Sequence, residues 1–175
     1  VVAEYANLPA GKVKLRFTTN HDHSTEATPC VEFTNERGAM AAYVASIFPH
    51  GGALIYGSQE VSYPEPINFF KYVAVDWTAN SAIYQEYKEL IELYDEHPAL
   101  RKGKMRAWSD DDVLIFEKTD AEESFLIIVN VRNESKAVRI PESWVGRETK
   151  DEVTDNDFKL ESTLTLEPFQ YLILK

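Results

Sequence analysis

The chain is short of cysteine, short of positive charge and without a long apolar run, and each shortage closes off a class of explanation. Its one cysteine, Cys30, excludes an intrachain disulfide and leaves the compartment open. No base stands beside it in Ala27-Thr28-Pro29-Cys30-Val31-Glu32, so it reads as a buried spectator. Lys and Arg number 18 against 29 Asp and Glu, a formal net charge of -11. That argues against nucleic acid and against an anionic membrane, which recruit clustered Lys and Arg; a neutral partner stays compatible. No apolar stretch approaches the roughly 18 residues of a membrane-spanning helix, and the N-terminus lacks the basic, apolar and small-residue succession of a signal peptide. Internal repeats and low-complexity segments are also missing.

What is present is enough to build a core: 175 residues, 44% of them hydrophobic and 12% aromatic. Val2, Tyr5, Ala6 and Leu8 suggest the tail of a helix, stopped by Pro9 and turned by Gly11. Leu15 to Thr19 then reads as a short strand packed on both faces, with Arg16 in need of a partner. A polar loop runs from Asp22 to Pro29. Glu36 to Phe48 is apolar almost all round, a helix that belongs inside a larger protein and stops at Pro49. Ala53 to Tyr56 is a second short buried strand, so strand, helix and strand make a βαβ unit. Val61 to Trp77, broken by Pro64 and Pro66, reads as a long loop. Ile83, Tyr87, Leu90, Ile91 and Tyr94 have helical spacing, and Pro98 ends that helix.

Beyond Gly103 the pattern changes to short apolar runs: 113–116, 125–129, 137–140, 163–166 and 171–174, split by charged turns. Such runs predict an antiparallel sandwich. The domain boundary therefore falls near Gly103, giving units 1–102 and 103–175. The acidic clusters at Asp110 to Asp112 and Asp151 to Asp157 read as solvated turns. Trp77, Trp108 and Trp144 read as core residues, although aromatic faces also suit sugars.

In parallel sheets the chemistry collects at the C-terminal strand ends, where Asn20, His21 and Asp22 fall. The run Arg16-Phe17-Thr18-Thr19-Asn20-His21-Asp22 resembles the F-x-x-N-H-D motif of the α-amylase family, glycoside hydrolase family 13. Gly51-Gly52-Ala53-Leu54-Ile55-Tyr56-Gly57-Ser58-Gln59-Glu60 resembles that family's last barrel strand, G-x-P-L-I-Y-x-G-Q-E. Phe69-Phe70-Lys71, Val75-Asp76-Trp77 and His97-Pro98-Ala99-Leu100-Arg101 follow in the family's order. The chain departs from the pattern at His23, where many relatives are acidic, and at Ala53, often proline.

The resemblance implies an α/β part, the last two strand-helix units of a (β/α)8 TIM barrel at 1–102, followed by an all-β part, a C-terminal antiparallel β-sandwich domain at 103–175. It implies a glycosidase acting with retention on α-linked glucans such as maltooligosaccharides. Asp22 would be the third catalytic carboxylate, binding sugar hydroxyls and favouring the cationic transition state; His21 would donate a hydrogen bond to the same sugar, and Asn20 would brace the loop. The nucleophile and general acid lie on earlier strands in this family, and nothing before Leu15 can hold their motifs, so the isolated chain is expected to be inactive. Gln59-Glu60 has neither catalytic role in the family pattern. No cofactor is implied. A metal at His21-Asp22-His23 is disfavoured, since neighbours in an extended chain point to opposite faces. The open strand edges need cover from a missing N-terminal barrel segment or another copy of the chain. The alternative reading is a non-catalytic carbohydrate-binding or interaction module in which only the sandwich matters.

Overall fold

The computed structural model describes residues 7–68 and 70–175. The helix tail expected over Val2, Tyr5 and Ala6, and Phe69 of the Phe69-Phe70-Lys71 match, lie outside the described residues.

The first half is organised by two short strands and two helices. Strand β1 (Leu15–Arg16) pairs in parallel with β2 (Gly52–Ala53), Leu15 opposite Gly52 and Arg16 opposite Ala53. Both are shorter than the runs that predict them, and Leu15 is 58% exposed, not packed on both faces. A strand is buried on both faces only where a layer covers each, and among the described residues more than half of Leu15 is left uncovered. Between the strands lie α1 (Pro29–Glu32), a short turn of helix that the sequence does not announce, and α2 (Glu36–Ile47). Asn35 starts α2: its side chain accepts a hydrogen bond from Gly38 N at 2.9 Å, satisfying one of the free donors of the first turn. Most of α2 is buried, as its nearly unbroken apolar composition requires. After β2 the chain is irregular apart from one 3-10 turn at Gln59–Val61, until α3 (Ser81–Glu96). Asn80 caps α3 in the same way as Asn35 caps α2, and Asn80 Nδ2 donates to Glu36 Oε1 at 2.7 Å, tying the two helix starts together. Pro98 does not simply end α3; it opens a further short helix, α4 (Pro98–Lys102), where its missing N–H costs nothing.

The second half is a β-sandwich. Its central sheet is antiparallel in the order β10-β5-β4-β3, made of β3 (Lys104–Trp108), β4 (Val113–Thr119), β5 (Ser124–Asn130) and β10 (Tyr171–Leu174). Two ladders lie against it: β6 (Lys136–Arg139) with β9 (Thr163–Leu166), and β7 (Glu148–Lys150) with β8 (Asp157–Lys159). Strands β3, β7 and β8 are not marked in the sequence, because each is short and rich in Lys, Arg or Asp.

Alternation along the central strands sends side chains to two separate cores. Phe116, Phe125, Ile127, Val129, Tyr171 and Ile173 pack against α2, α3 and α4 with Met40, Tyr43, Phe48, Tyr87, Leu90 and Leu100. Ile115, Leu126, Ile128, Leu172 and Leu174 face the other way, onto Val138, Trp144, Leu160 and Leu166. Each face has its own apolar cover, which is why the strands read as continuous apolar runs. Burying side chains of this size stabilises by about 1.5–3 kcal/mol each before entropy is counted.

Polar groups at the seams are paired. Arg37 on α2 holds Glu86 on α3 through two bonds of 2.7 Å, and the Tyr171 hydroxyl of β10 donates to the same carboxylate. Lys118 is fully buried on β4 and donates from Nζ to Pro49 O at 3.0 Å, just past the end of α2. Asp151 corrects the expectation of a solvated acidic turn. It is fully buried, accepting from Ile173 N at 3.0 Å through Oδ1 and from the Thr154 hydroxyl at 2.6 Å through Oδ2.

Candidate functional site

Asn20, His21 and Asp22 stand just beyond the C-terminal end of β1. Because β1 and β2 are parallel, the segment leaving β2 at Leu54 to Gly57 emerges at that same end. The Asn20 side chain folds back on its own loop: Oδ1 accepts from the backbone N–H groups of Asp22 and His23, each at 3.0 Å. Ser24 Oγ donates to His21 O at 3.2 Å and Thr25 Oγ1 to Asp22 O at 2.7 Å. Together these four bonds close a tight turn that fixes the backbone and leaves the His21 and Asp22 side chains outside it.

Those two side chains are 62% and 71% exposed, with His21 Nε2 3.4 Å from Asp22 Oδ1. A carboxylate and an imidazole presented side by side can bind hydroxyl groups of a neutral ligand, one accepting and the other donating. His23 turns away: its ring packs edge-on to Phe17, centroids 5.9 Å apart, so the three adjacent polar residues do not converge. Among the described residues no group of three His, Cys, Asp or Glu could hold a metal ion.

The site loop is fastened to the segment after β2. Ile67 N donates to Ser24 O at 2.6 Å, and Cys30 Sγ donates to Ser62 O at 3.3 Å. Cys30 is thus half-buried and hydrogen-bonded, where its neighbourhood suggests a buried thiol. Arg16 finds the partner its strand requires in His50 O, 3.4 Å from Nε. Gln59 Oε1 accepts from Tyr56 N at 3.1 Å, closing the turn after β2.

Two further observations correct the sequence reading. Trp144 and, in part, Trp108 are core residues, but Trp77 is 56% exposed. A cavity of about 560 Å3 is lined by Phe17, Thr18, His23, Ala41 and Arg132 among others, and neither His21 nor Asp22 lines it.

Similarity to known proteins divides along the chain. Residues 105–173 match the family model "Maltogenic Amylase, C-terminal domain". Among curated proteins, the neopullulanase 2 of Thermoactinomyces vulgaris is 32% identical over 104 residues, and the cyclomaltodextrinase of Geobacillus thermopakistaniensis 29% over 100 residues. Each match takes in 54% of this chain and 17% of the relative, so the chain spans about a sixth of the relatives' length. The fold is similar to that of a noncanonic maltogenic α-amylase from Thermotoga neapolitana, with TM-score 0.83 at 17% identity, covering 99% of this chain and 43% of that one. An α-amylase from Lactobacillus plantarum gives TM-score 0.81 at 18% identity, covering 98% and 40%. The motif order, the sandwich that matches the family model and the curated relatives agree, and all of them place this chain's similarity in the C-terminal region of the α-amylase family, glycoside hydrolase family 13.

Proposed function

We propose that the chain is the C-terminal part of a glycosidase that cleaves or transfers α-linked glucosyl units with retention. In this reading residues 1–102 are the end of a (β/α)8 barrel and residues 103–175 are its C-terminal sandwich domain. The observation that carries it is the placement of Asn20, His21 and Asp22 at the C-terminal end of a parallel strand pair, the end where barrel enzymes gather their chemistry.

Retention requires a carboxylate nucleophile and a carboxylic acid about 5 Å apart. Asp22 is neither. It accepts hydrogen bonds from the hydroxyls of the sugar being cleaved, bonds that strengthen as the ring distorts and gains positive charge, and its negative charge helps keep the general acid protonated. His21 donates to the same sugar, and Asn20 holds the turn that aims them both. The substrate class is α-glucan or maltooligosaccharide; solved relatives of the same fold were obtained with maltose, maltotriose and acarbose. The nucleophile and general acid come from earlier strands, so the 175-residue chain on its own turns over no maltoheptaose, whereas the gene product that continues upstream through the barrel does. Reducing-sugar release by a preparation whose intact mass equals that of the chain would contradict the proposal.

The non-catalytic alternative requires exposed aromatics on the sandwich. Among the described residues the large exposed aromatics, Phe70, Tyr72, Trp77 and Tyr84, all precede it.

A further inference from the structure

Backbone strain gathers at one junction between the two halves. Thr34, between α1 and α2, has φ 79°, and Phe169, in the turn between β9 and β10, has φ 56°. Left-handed backbone is unfavourable for a β-branched or bulky side chain and persists only where the surroundings over-determine it. Here they do. Phe169 N donates to Arg132 O at 3.0 Å, Gln170 N to Glu167 O at 3.1 Å and Glu167 N to Gln170 Oε1 at 2.8 Å, which pins the turn on both sides of the ring. The buried Phe169 ring is thereby set against the first turn of α2. Its Cζ lies 3.3 Å from the point that a Gly38 Cβ would occupy, and Phe33 O at the end of α1 crowds the same point. Phe33, Thr34, Gly38 and Phe169 line one cavity.

Two residues on, the sandwich holds α2 a second time. The Tyr171 hydroxyl donates to Glu86, whose carboxylate takes both bonds from Arg37, and the Arg37 guanidinium lies over the Tyr171 ring, 5.6 Å from its centroid. Arg37 and Gly38 are neighbours, so Phe169 and Tyr171 fix consecutive residues of one helix start. From there back to the site the backbone is bonded turn after turn: Ala39 N to Asn35 O, Phe33 N to Pro29 O, Glu32 N to Thr28 O, Ala27 N to His23 O and Ser24 N to Asn20 O, all at 2.9–3.1 Å. Cys30 Sγ, donating to Ser62 O, ties α1 to the segment after β2. Such a run of bonded turns transmits a displacement of the α2 start to the turn that aims His21 and Asp22.

We infer that Phe169 and Tyr171 are positioning residues: from the sandwich they fix the start of α2, and through α1 they set where the Asp22 carboxylate stands. Both are buried, so neither acts by touching sugar. The inference rests on the glycosidase reading for what Asp22 does, and it gives the sandwich a part in turnover beyond covering the helices.

A double-mutant cycle on the gene product continued upstream through the barrel tests it, with maltoheptaose hydrolysis as the readout and far-ultraviolet circular dichroism to show that each variant folds. Phe169→Ala lowers kcat roughly tenfold and leaves KM within about twofold, because a small misplacement of the group that favours the transition state is enough. Phe169→Leu, which refills much of the space, stays within about threefold of the parent. In the Asp22→Asn background Phe169→Ala lowers kcat by only about twofold, since the carboxylate it positions is gone. Tyr171→Phe keeps the buried ring and goes through the same cycle with a loss of about threefold, so the outcome does not depend on Phe169→Ala folding. Equal losses with and without the Asp22 carboxylate mean that the sandwich supports the fold alone and overturn the inference, as do Phe169→Ala and Tyr171→Phe variants that both keep the parent's kcat. The two readings fail differently. An Asp22→Asn variant as active as the parent refutes the role of Asp22 and takes the inference with it, whereas an impaired Asp22→Asn beside unimpaired sandwich variants refutes the inference alone.

Discussion

His50 shows how much one side chain depends on its place. It follows Pro49 between α2 and β2, and its pKa is lowered to about 4 by burial first and then by the cations of Lys118 and Arg16. Lys118 Nζ stands 3.3 Å from His50 Nδ1, a distance at which the ammonium donates and the neutral imidazole accepts. The unfolded chain protonates His50 near pH 6.5, so between pH 6.5 and about 4 the unfolded state binds the additional proton. Stability therefore falls as pH drops through that window. Lys118, lowered to about 8 by burial, produces the same sign between about pH 8 and 10.5: stability rises with pH there. We predict that His50→Gln, which keeps a polar side chain but does not titrate, flattens the decline of the thermal midpoint between pH 6.5 and 4 relative to the wild-type chain. Parallel melting curves for the two proteins over that range would remove His50 from the account. None of this was legible in the sequence, because Lys118 lies 68 residues from His50 and neither is part of a pattern. Asp151 was misread for the same reason. Its acidic neighbours suggest water, while its main partner is the backbone of Ile173, 22 residues on.

At the scale of elements, legibility follows the source of the stabilisation. Helices α2 and α3 announce themselves through local features: an almost unbroken apolar composition in α2, helical apolar spacing in α3, and a proline near the end of each. Strands β4, β5 and β10 do so through apolar runs set by their two-sided burial. Strands β3, β7 and β8 have no such mark, since the facing strand supplies their pairing and their own side chains are largely exposed. The junction of α1 and α2 depends on a close approach that only glycine allows. A Cβ at Gly38 would stand 1.8 Å from Phe33 O, with Phe169 Cζ at 3.3 Å. Gly38→Ala forces that backbone apart, and an overpacking cost of about 1–3 kcal/mol is expected. For a chain of this length that corresponds to a fall in Tm of roughly 2–4 °C per kcal/mol, readable by calorimetry. A variant melting at or above the wild-type temperature would mean that α1 is not held against α2 as described.

At the scale of the whole molecule, the half that carries the site is the less covered one. Val13, Leu15 and Val31 are exposed, and the buried Thr18 Oγ1, Tyr43 hydroxyl and Glu60 Oε2 have no hydrogen-bond partner among the described residues. Apolar surface and orphaned polar atoms together call for another surface. The proposed barrel would supply it; without the barrel, the 175-residue chain is expected to self-associate at micromolar concentration, and a strictly monomeric light-scattering mass would contradict this. The sandwich, by contrast, is covered on both faces of its central sheet, and it is also the half that matches a family model.

The central claim is that Asp22 acts on a bound α-glucan in the protein to which this chain contributes its C-terminal region. The measurement that tests it most directly is steady-state hydrolysis of maltoheptaose by the gene product continued upstream through the barrel, compared with its Asp22→Asn variant. Replacing the carboxylate by an amide keeps the size and removes the charge that favours the transition state, so kcat falls by roughly 10²–10³ while KM changes little. A variant that keeps the parent's kcat would contradict the account.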